Sequence, residues 1–373
     1  MLKSLLLSLC ITGSAFAQGP VARIDSGNIN GARYRILFPE NWRGKLVMYA
    51  HGYEFMGAKP RQSQNPQFLN SMKPFLERGF AVAASDYRDQ GFVLPQAVDD
   101  TEALRQYFFK KYGKPDSTFM VGHSMGGGIT LAILENYGGN YLGGLPLCPF
   151  SSRPYLQCRK EFDMYATFNG LFPGIATPLS EIFDLSKPYQ AQPMQSMVPK
   201  AMAIRKAIVA KDSALAMAFA RRFDLQLDDL PMSLFFNENV LRDIAQKAKG
   251  NPFDNMNTVY SGFPNDLEVN RKAERLAATV DPAVLFGKYD RTGNINKPVV
   301  LMHTLYDQLI PPAYGVTNFE NMVHQQGKGQ FFTVRYTNGR GHCNFTPQQT
   351  GKAFDELRSW VKTGVKVKAG FID

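Results

Sequence analysis

The sequence predicts an α/β protein, a mostly parallel sheet flanked by helices with a helical cap inserted before the penultimate strand. Three observations predict it. From residue 31 to about 150, short apolar runs alternate with longer segments of helical apolar spacing. The alternation stops near residue 150 and returns at Pro298. Residues 150–297, between the two stretches, are rich in Met, Phe and Pro and mostly helical in period. Strand–helix alternation implies parallel strands, because each crossover helix must lie on a face of the sheet.

The elements follow in order. Residues 31–38 read as a strand closed by Pro39, and Lys45 to Ala50 as a buried strand running into His51-Gly52. Phe68, Leu69, Met72, Phe75 and Leu76 give Pro66 to Arg78 a helical apolar face that stops at Gly79. Phe80 to Ala84 is a strand ending at Ser85-Asp86-Tyr87-Arg88. Pro95 to Tyr112 is a helix with Val98, Leu104, Tyr107 and Phe108 inward. Thr118 to Val121 is a strand, Met125 to Tyr137 a helix stopped by Gly138-Gly139, and Gly143 to Leu147 a short strand. After the insertion, with helices over Lys200 to Phe223 and Glu238 to Lys249, come strands at Pro298–Met302 and Phe331–Tyr336. Pro347 to Val361 is the closing helix. The predicted division is a core of residues 18–149 and 298–373 around a cap of residues 150–297.

Composition narrows the class. The chain has 373 residues, 44% hydrophobic and 20% charged, which is ordinary for a globular protein and too apolar for a disordered one. No stretch after the N-terminus reaches the ~18 apolar residues of a membrane-spanning helix. The net charge of +10 is spread with no basic run longer than two residues, so no nucleic-acid footprint is expected. There is no P-loop, no G-x-G-x-x-G, no H-E-x-x-H and no C-x-x-C, and no metal or organic cofactor is called for.

The first residues read as a secretory signal: Lys3, an apolar run from Leu5 to Ile11, and the small-x-small site Ala15-Phe16-Ala17. Cleavage there makes residues 1–17 a signal peptide, Gln18 the mature start, and the protein secreted or periplasmic. Leu9 before Cys10 argues against a lipoprotein signal, which has a small residue at that place. Cys148, Cys158 and Cys343 remain, an odd number, so at most one bridge forms within a chain. Cys148–Cys158 closes a short loop and is the favoured pair, with Cys343 a rival partner for either.

The residues that carry chemistry begin with Gly122-His123-Ser124-Met125-Gly126, a G-x-S-x-G preceded by an apolar strand and followed by a helix. In that context a serine sits on a strained turn with its hydroxyl raised above the sheet, and the glycines allow close backbone approach. A serine hydroxyl needs a base to take its proton. His342, on the glycine-rich loop Gly339-Arg340-Gly341 after the last long strand, is the candidate. His51 is expected to shape its loop, His123 to point away from Ser124, His303 to be a hydrogen-bonded core residue, and His324 to be solvated.

The acid that orients the imidazole is expected at Asp307, which follows the strand before the last one and precedes Ile310-Pro311-Pro312. Asp290 and Asp281, within the insertion, are the alternatives. Two backbone donors must face the developing oxyanion, each contributing ~3–4 kcal/mol. Met125 directly after the serine supplies one, and Tyr53 in the turn that Gly52 permits supplies the other. Asp86 and Arg88 are expected to be structural partners of that turn.

With serine, acid and base in the order Ser124, Asp307, His342, the chain resembles the α/β-hydrolase superfamily over both ends of the mature sequence. It looks more particularly like a group of secreted bacterial hydrolases with a large helical cap. That likeness rests on Gly144-Leu145-Pro146-Leu147-Cys148, Asn251-Pro252-Phe253-Asp254-Asn255, Thr258-Val259-Tyr260-Ser261, Leu301-Met302-His303-Thr304 and Gly341-His342-Cys343-Asn344-Phe345-Thr346. Tannase and feruloyl esterase relatives join a cysteine directly before the serine to one directly after the histidine. Here His123 stands before Ser124, so that bridge cannot form.

The expected function is a serine hydrolase that cleaves a small-molecule carboxylic ester through an acyl-enzyme. The insertion is expected over the site, with Met164, Phe168, Phe172, Met194, Met197 and Met202 suggesting an apolar or aromatic pocket. Two rivals stay open. A peptidase of the same fold needs acids in the cap for a free amino terminus, with Glu161, Asp163, Asp228 and Asp229 as candidates. A non-catalytic binding protein is the other, although such proteins usually lack a member of the triad. The oligomeric state is left open.

Overall fold

A computed structural model of the protein describes residues 21–186 and 194–373. The expected secretory signal lies outside the described residues. The strands are β1 (Arg23–Ile29), β2 (Ala32–Phe38), β3 (Lys45–Ala50), β4 (Ala81–Ser85), β5 (Ser117–His123), β6 (Gly143–Leu147), β7 (Val299–Tyr306), β8 (Phe332–Arg340) and β9 (Gly370–Phe371). They form one sheet in the order β1-β2-β4-β3-β5-β6-β7-β8-β9. β1 with β2, and β2 with β4, are antiparallel. All other neighbours are parallel. The expected mostly parallel sheet is therefore present, extended at both edges by β1 and β9, which lay outside the expected set.

Helices α1 (Pro66–Leu76), α2 (Leu94–Tyr112) and α3 (Met125–Tyr137) connect the first strands. Between β6 and β7 the described residues form α4 (Pro154–Leu171), α5 (Leu179–Ile182), α6 (Met194–Arg222), α7 (Leu230–Ala248), α8 (Asp266–Lys272) and α9 (Ala283–Phe286), with no strand. α6 is two helical runs across a kink at Asp212. α10 (Asn318–Gln325) precedes β8, and α11 (Pro347–Thr363) follows it. Among the described residues no helix is long and apolar enough to cross a membrane.

Strand alternation splits the core into two layers. On β3, Leu46, Met48 and Ala50 face one side with Leu104 and Phe108 of α2 and Ile129 and Ile133 of α3. Val47 and Tyr49 face the other, with Met72 and Phe75 of α1 and Phe354 and Leu357 of α11. A strand buried on both faces carries apolar residues at every position, and β3 is buried from Leu46 to Ala50. Each fully buried aliphatic or aromatic side chain contributes about 1.5–3 kcal/mol. The first layer continues without a break into the insertion, where Phe162, Phe168, Phe172 and Phe219 are fully buried.

Those helices are also tied to the core by a polar contact. The Asp243 carboxylate of α7 accepts a hydrogen bond from the Phe92 amide just before α2. Gly91 permits it: its φ is +85°, and a Cβ there would overlap the Asp243 carboxyl.

Candidate active site

Ser124 lies between β5 and α3 with φ 58° and ψ −123°, a conformation strained for a residue with a Cβ. Its amide donates to the Leu147 carbonyl at 2.9 Å and its carbonyl accepts from Phe150 N at 2.9 Å, so β6 and the segment after it over-determine the turn. The flanking glycines are sterically required. A Cβ on Gly122 would meet the Gly126 carbonyl, and one on Gly126 would meet the Ala50 carbonyl. The strand–turn–helix read from G-x-S-x-G is thus held by backbone contacts between β3, β5 and α3.

Asp307 follows β7 and His342 follows β8, so neighbouring parallel strands deliver both to the same end of the sheet. His342 Nδ1–H donates to Asp307 Oδ2 at 2.7 Å. The Ser124 hydroxyl lies 2.8 Å from His342 Nε2, placed to donate to it. The other Asp307 oxygen accepts from the Leu309 and Ile310 amides at 2.9 and 2.8 Å. Burial raises the proton affinity of Asp307, but the hydrogen bond and charge of His342, the Ile310 amide and the charge of His303 outweigh it. The carboxyl is left below the ordinary aspartate value, and ionised. The loop that bears His342 is fixed beyond it by a reciprocal cap on α11: Gln349 N donates to Thr346 Oγ1 at 3.1 Å, and Thr346 N to Gln349 Oε1 at 3.0 Å.

The remaining histidines behave as expected. His51 Nδ1–H donates to the Gly52 carbonyl at 2.8 Å, and its ring stacks on Tyr87. His123 Nδ1 lies 3.0 Å from the Tyr49 hydroxyl, away from Ser124. Burial, then repulsion from His342, pulls the His123 pKa down to about 4. His303 is buried and donates to the Thr304 carbonyl at 2.8 Å, and His324 is exposed near the end of α10. Asp290 pairs with Arg153 and Asp281 accepts from the Ala283 amide, so neither reaches His342.

Tyr53 and Met125 both border the cavity that opens on Ser124. The Met125 amide opens α3 and is one of the helix-start donors with no intrahelical acceptor. Gly52 lets the Tyr53 turn approach, since a Cβ there would lie 3.2 Å from Ser124 Cβ. The turn is braced by Glu54, which accepts from Arg61 Nε at 2.6 Å and Gln62 N at 3.0 Å. The Tyr87 hydroxyl also donates to the His51 carbonyl at 3.0 Å. Asp86 accepts from Ser63 N and Oγ on the same connection. Arg88 does not serve that turn; it pairs with Asp100 of α2.

Two further expectations are corrected. The disulfide joins Cys148 to Cys343, with Cα atoms 5.2 Å apart, and not Cys148 to Cys158. Cys158 points into the buried face of α4 as a free thiol, whereas Cys148 directly follows β6, beside the β7–β8 pair that carries His342. The pocket wall also differs. Met164, Phe168 and Phe172 pack the interior of the insertion, Met197 is half-buried, and Met202 is 67% exposed. The side chain of Met194 lies outside the described residues. The wall beside Ser124 comes instead from Tyr53, Phe92, Phe150, Phe236, Val240 and Ile310, around a cavity of about 40 Å³. Residues missed by sequence reasoning are therefore Phe92 and Phe150, in loops at strand ends, and Phe236 and Val240, one turn apart on α7. Of the four acids proposed to hold an amino terminus, only Glu161 borders this cavity. Asp163 pairs with Arg159, Asp228 with Arg205, and Asp229 with Arg340.

This sheet order, with a serine on a strained turn after β5, an acid after β7 and a histidine after β8, defines an α/β-hydrolase fold. No family model matches the chain. It is similar to the o-phthalyl amidase of Xanthobacter agilis, 20% identical over 403 residues that cover 90% of this chain and 86% of that protein. Among solved structures it is similar to the esterase Pf2001 of Pyrococcus furiosus, with 13% identity, a TM-score of 0.47, and 90% and 91% of the two chains covered. It is also similar to Est1E of Butyrivibrio proteoclasticus, with 16% identity, a TM-score of 0.43, and 91% and 98% covered. The fold rests on its own strand order rather than on these distant likenesses.

Proposed function

We propose that the protein is a serine hydrolase that cleaves small carboxylic esters through an acyl-enzyme. The observation that carries this reading is the continuous line from Asp307 Oδ2 through His342 to Ser124 Oγ, with both bonds under 3 Å. His342 Nε2 takes the Ser124 proton as Oγ attacks the carbonyl carbon. The carbonyl oxygen becomes an oxyanion facing the Tyr53 and Met125 amides. As the tetrahedral intermediate collapses, the imidazolium returns its proton to the leaving alkoxide and the ester bond breaks. Water, deprotonated by His342, then attacks the acyl-Ser124 bond and releases the acid. Asp307 stays ionised throughout and holds the imidazole in one tautomer. The ring-lined cavity supports an acyl group that is apolar or aromatic, and helices α4 and α7 wall it from water. Secretion into an oxidising compartment is part of the proposal, in keeping with the Cys148–Cys343 bridge.

The test is hydrolysis of p-nitrophenyl esters of graded acyl length by the mature chain and by Ser124→Ala. Loss of all turnover in the variant, with a chain-length optimum in the wild type, is the expected result. Equal rates in both proteins would remove Ser124 from the mechanism. The similarity to a protein named as an amidase makes anilide counterparts of the same acyl groups the natural second series. N-terminal sequencing of exported protein should begin at Gln18.

A further inference from the structure

Tyr306 is the last residue of β7 and stands directly before Asp307. Its carbonyl accepts from the Gly341 amide at 2.9 Å, and Gly341 stands directly before His342. One tyrosine is therefore joined to the acid along the chain and to the loop of the base by a hydrogen bond. The Thr304 hydroxyl lies 3.1 Å from the Tyr306 carbonyl and 3.2 Å from that of Gly341, placed to donate to both. The sheet alone does not fix this spot. Thr304 pairs with Thr337 but Tyr306 with Arg340, so β8 carries one residue more than β7 across this step. Such a bulge breaks the regular ladder just before His342.

The hydroxyl end of Tyr306 is held from the insertion. It donates to Asp229 Oδ2 at 2.5 Å and accepts from the Gln226 amide at 3.1 Å. Asp229 is the N-cap of α7, a place where a carboxylate ordinarily accepts from the first amides of its own helix. Here it makes no such bond and is turned to Tyr306 instead. Arg340 joins the cluster. Its guanidinium lies 4.7 Å from the centre of the Tyr306 ring, donates to Gln226 Oε1 and reaches Asp229 Oδ2 at 3.4 Å. The two contacts of Asp229 differ in weight. Arg340 is 57% exposed, and an exposed ion pair contributes little. Tyr306 is half-buried. Burial, then its bond to Asp229, raises the phenol to about 12, so it stays protonated and donates across the neutral range. A hydrogen bond to a charged acceptor is the stronger kind.

Resting on the serine hydrolase reading, we infer that Tyr306 is a positioning residue for the acid and the base, anchored from the insertion by Asp229. The insertion thus supplies one end of a brace whose other end is the Gly341–His342 loop. Neither Tyr306 nor Asp229 lines the cavity beside Ser124. Loosening the brace lets the His342 ring drift from Ser124 Oγ.

The rate at which a fluorophosphonate modifies Ser124 tests this without ester turnover. Oγ displaces fluoride at phosphorus as His342 Nε2 takes its proton, so the maximal rate reports how well base and nucleophile are aligned. Tyr306→Phe and Asp229→Ala should each lower that maximal rate about tenfold, while the half-saturating probe concentration moves by less than about twofold. The double variant should be no slower than the slower single one, since both remove the same bond. Asp229→Asn, which keeps an acceptor for the tyrosine hydroxyl, should retain most of the rate. Thermal melting reports separately whether each variant folds. If Tyr306→Phe does not, the comparison of Asp229→Ala with Asp229→Asn decides. An unchanged maximal rate in Asp229→Ala, losses that multiply in the double variant, or a loss confined to the half-saturating concentration would overturn the assignment. Wild-type protein that reacts with the probe but hydrolyses no ester would count against the ester reading and leave the brace standing. Wild-type protein inert to the probe would remove the serine hydrolase reading and the brace with it.

Discussion

Cys343 is bonded to Cys148 and is the residue directly after His342, so the covalent link from β6 ends next to the proposed base. The bridge spans a sequence separation of 195 residues. A loop of that length removes much freedom from the unfolded chain, about 2–5 kcal/mol in practice. Cys343→Ser should lower unfolding free energy by that range and reduce kcat/KM by about tenfold as the His342 loop loosens. Dithiothreitol should do the same to wild type and nothing further to the Cys148→Ser/Cys343→Ser protein. Denaturant melts and ester kinetics with and without reductant check both parts. Full activity in reductant would mean that β8 and the α11 cap hold the loop unaided.

Asp307→Asn should leave the fold intact and lower kcat by about 10³–10⁴. The Leu309 and Ile310 amides both point at Oδ1 and will select the asparagine carbonyl there. The amide NH₂ must then face His342 Nδ1 and force the wrong tautomer. The same carboxyl links to acid stability. Its folded pKa lies below the unfolded value of 3.8, so its stabilisation is present above that value and lost as pH falls through the lower folded one. Acid titration of the melting temperature should show a flatter profile below pH 3.8 in Asp307→Asn than in wild type.

Gly126→Ala should be destabilising by about 1–3 kcal/mol or prevent folding, because its methyl group meets the Ala50 carbonyl in a layer with no slack. Gly139→Ala is the matched control. No heavy atom lies within 4 Å of a Cβ there, and the change should stay within about 0.5 kcal/mol. Thermal melts of the two proteins side by side decide the matter; equal losses would place the strain elsewhere than in the serine turn.

Glu161→Gln should change how stability varies with pH. The folded carboxyl keeps its proton to about pH 8, whereas an unfolded one releases it near 4.5. Stability from this group is therefore full below pH 4.5 and falls as pH rises toward 8, by up to about 1.4 kcal/mol per pH unit. The charged group that faces it is Lys160; Cys158, one turn back on α4, is held as a neutral thiol by burial. Glu161→Gln should match wild type in acid and exceed it at pH 8. Parallel curves for the two proteins would show that the carboxyl is solvated.

Much of the core was legible because buried parallel strands have no polar face to disguise them, as β3 and β7 illustrate. Ser124, Asp307 and His342 were legible because each follows a strand, and strand ends on one side of a parallel sheet meet in space. β1 was not, since its exposed sequence, Arg-Ile-Asp-Ser-Gly-Asn-Ile, carries no apolar alternation. The signal that was there is Asn30-Gly31, with φ of 51° and 88°, a tight hairpin turn ahead of β2. The Cys148–Cys343 pairing depends on β6, β7 and β8 lying side by side, a non-local fact that loop length cannot reveal. The pocket wall was misplaced for a related reason. Met and Phe residues at helical spacing report that a helix face is buried, but not whether it meets substrate or other helices.

The Asp243–Phe92 contact fixes one wall of the cavity from a distance. A carboxylate sealed against a backbone amide, with a glycine cleared of its side chain to admit it, rivets α7 to the frame beneath. α7 also carries Phe236 and Val240 of the pocket wall. Any displacement of that helix would have to break this contact and expose the buried Asp243 carboxyl. The placement of Phe236 and Val240 in the wall beside Ser124 is thus tied, through α7, to a glycine and an amide that precede α2.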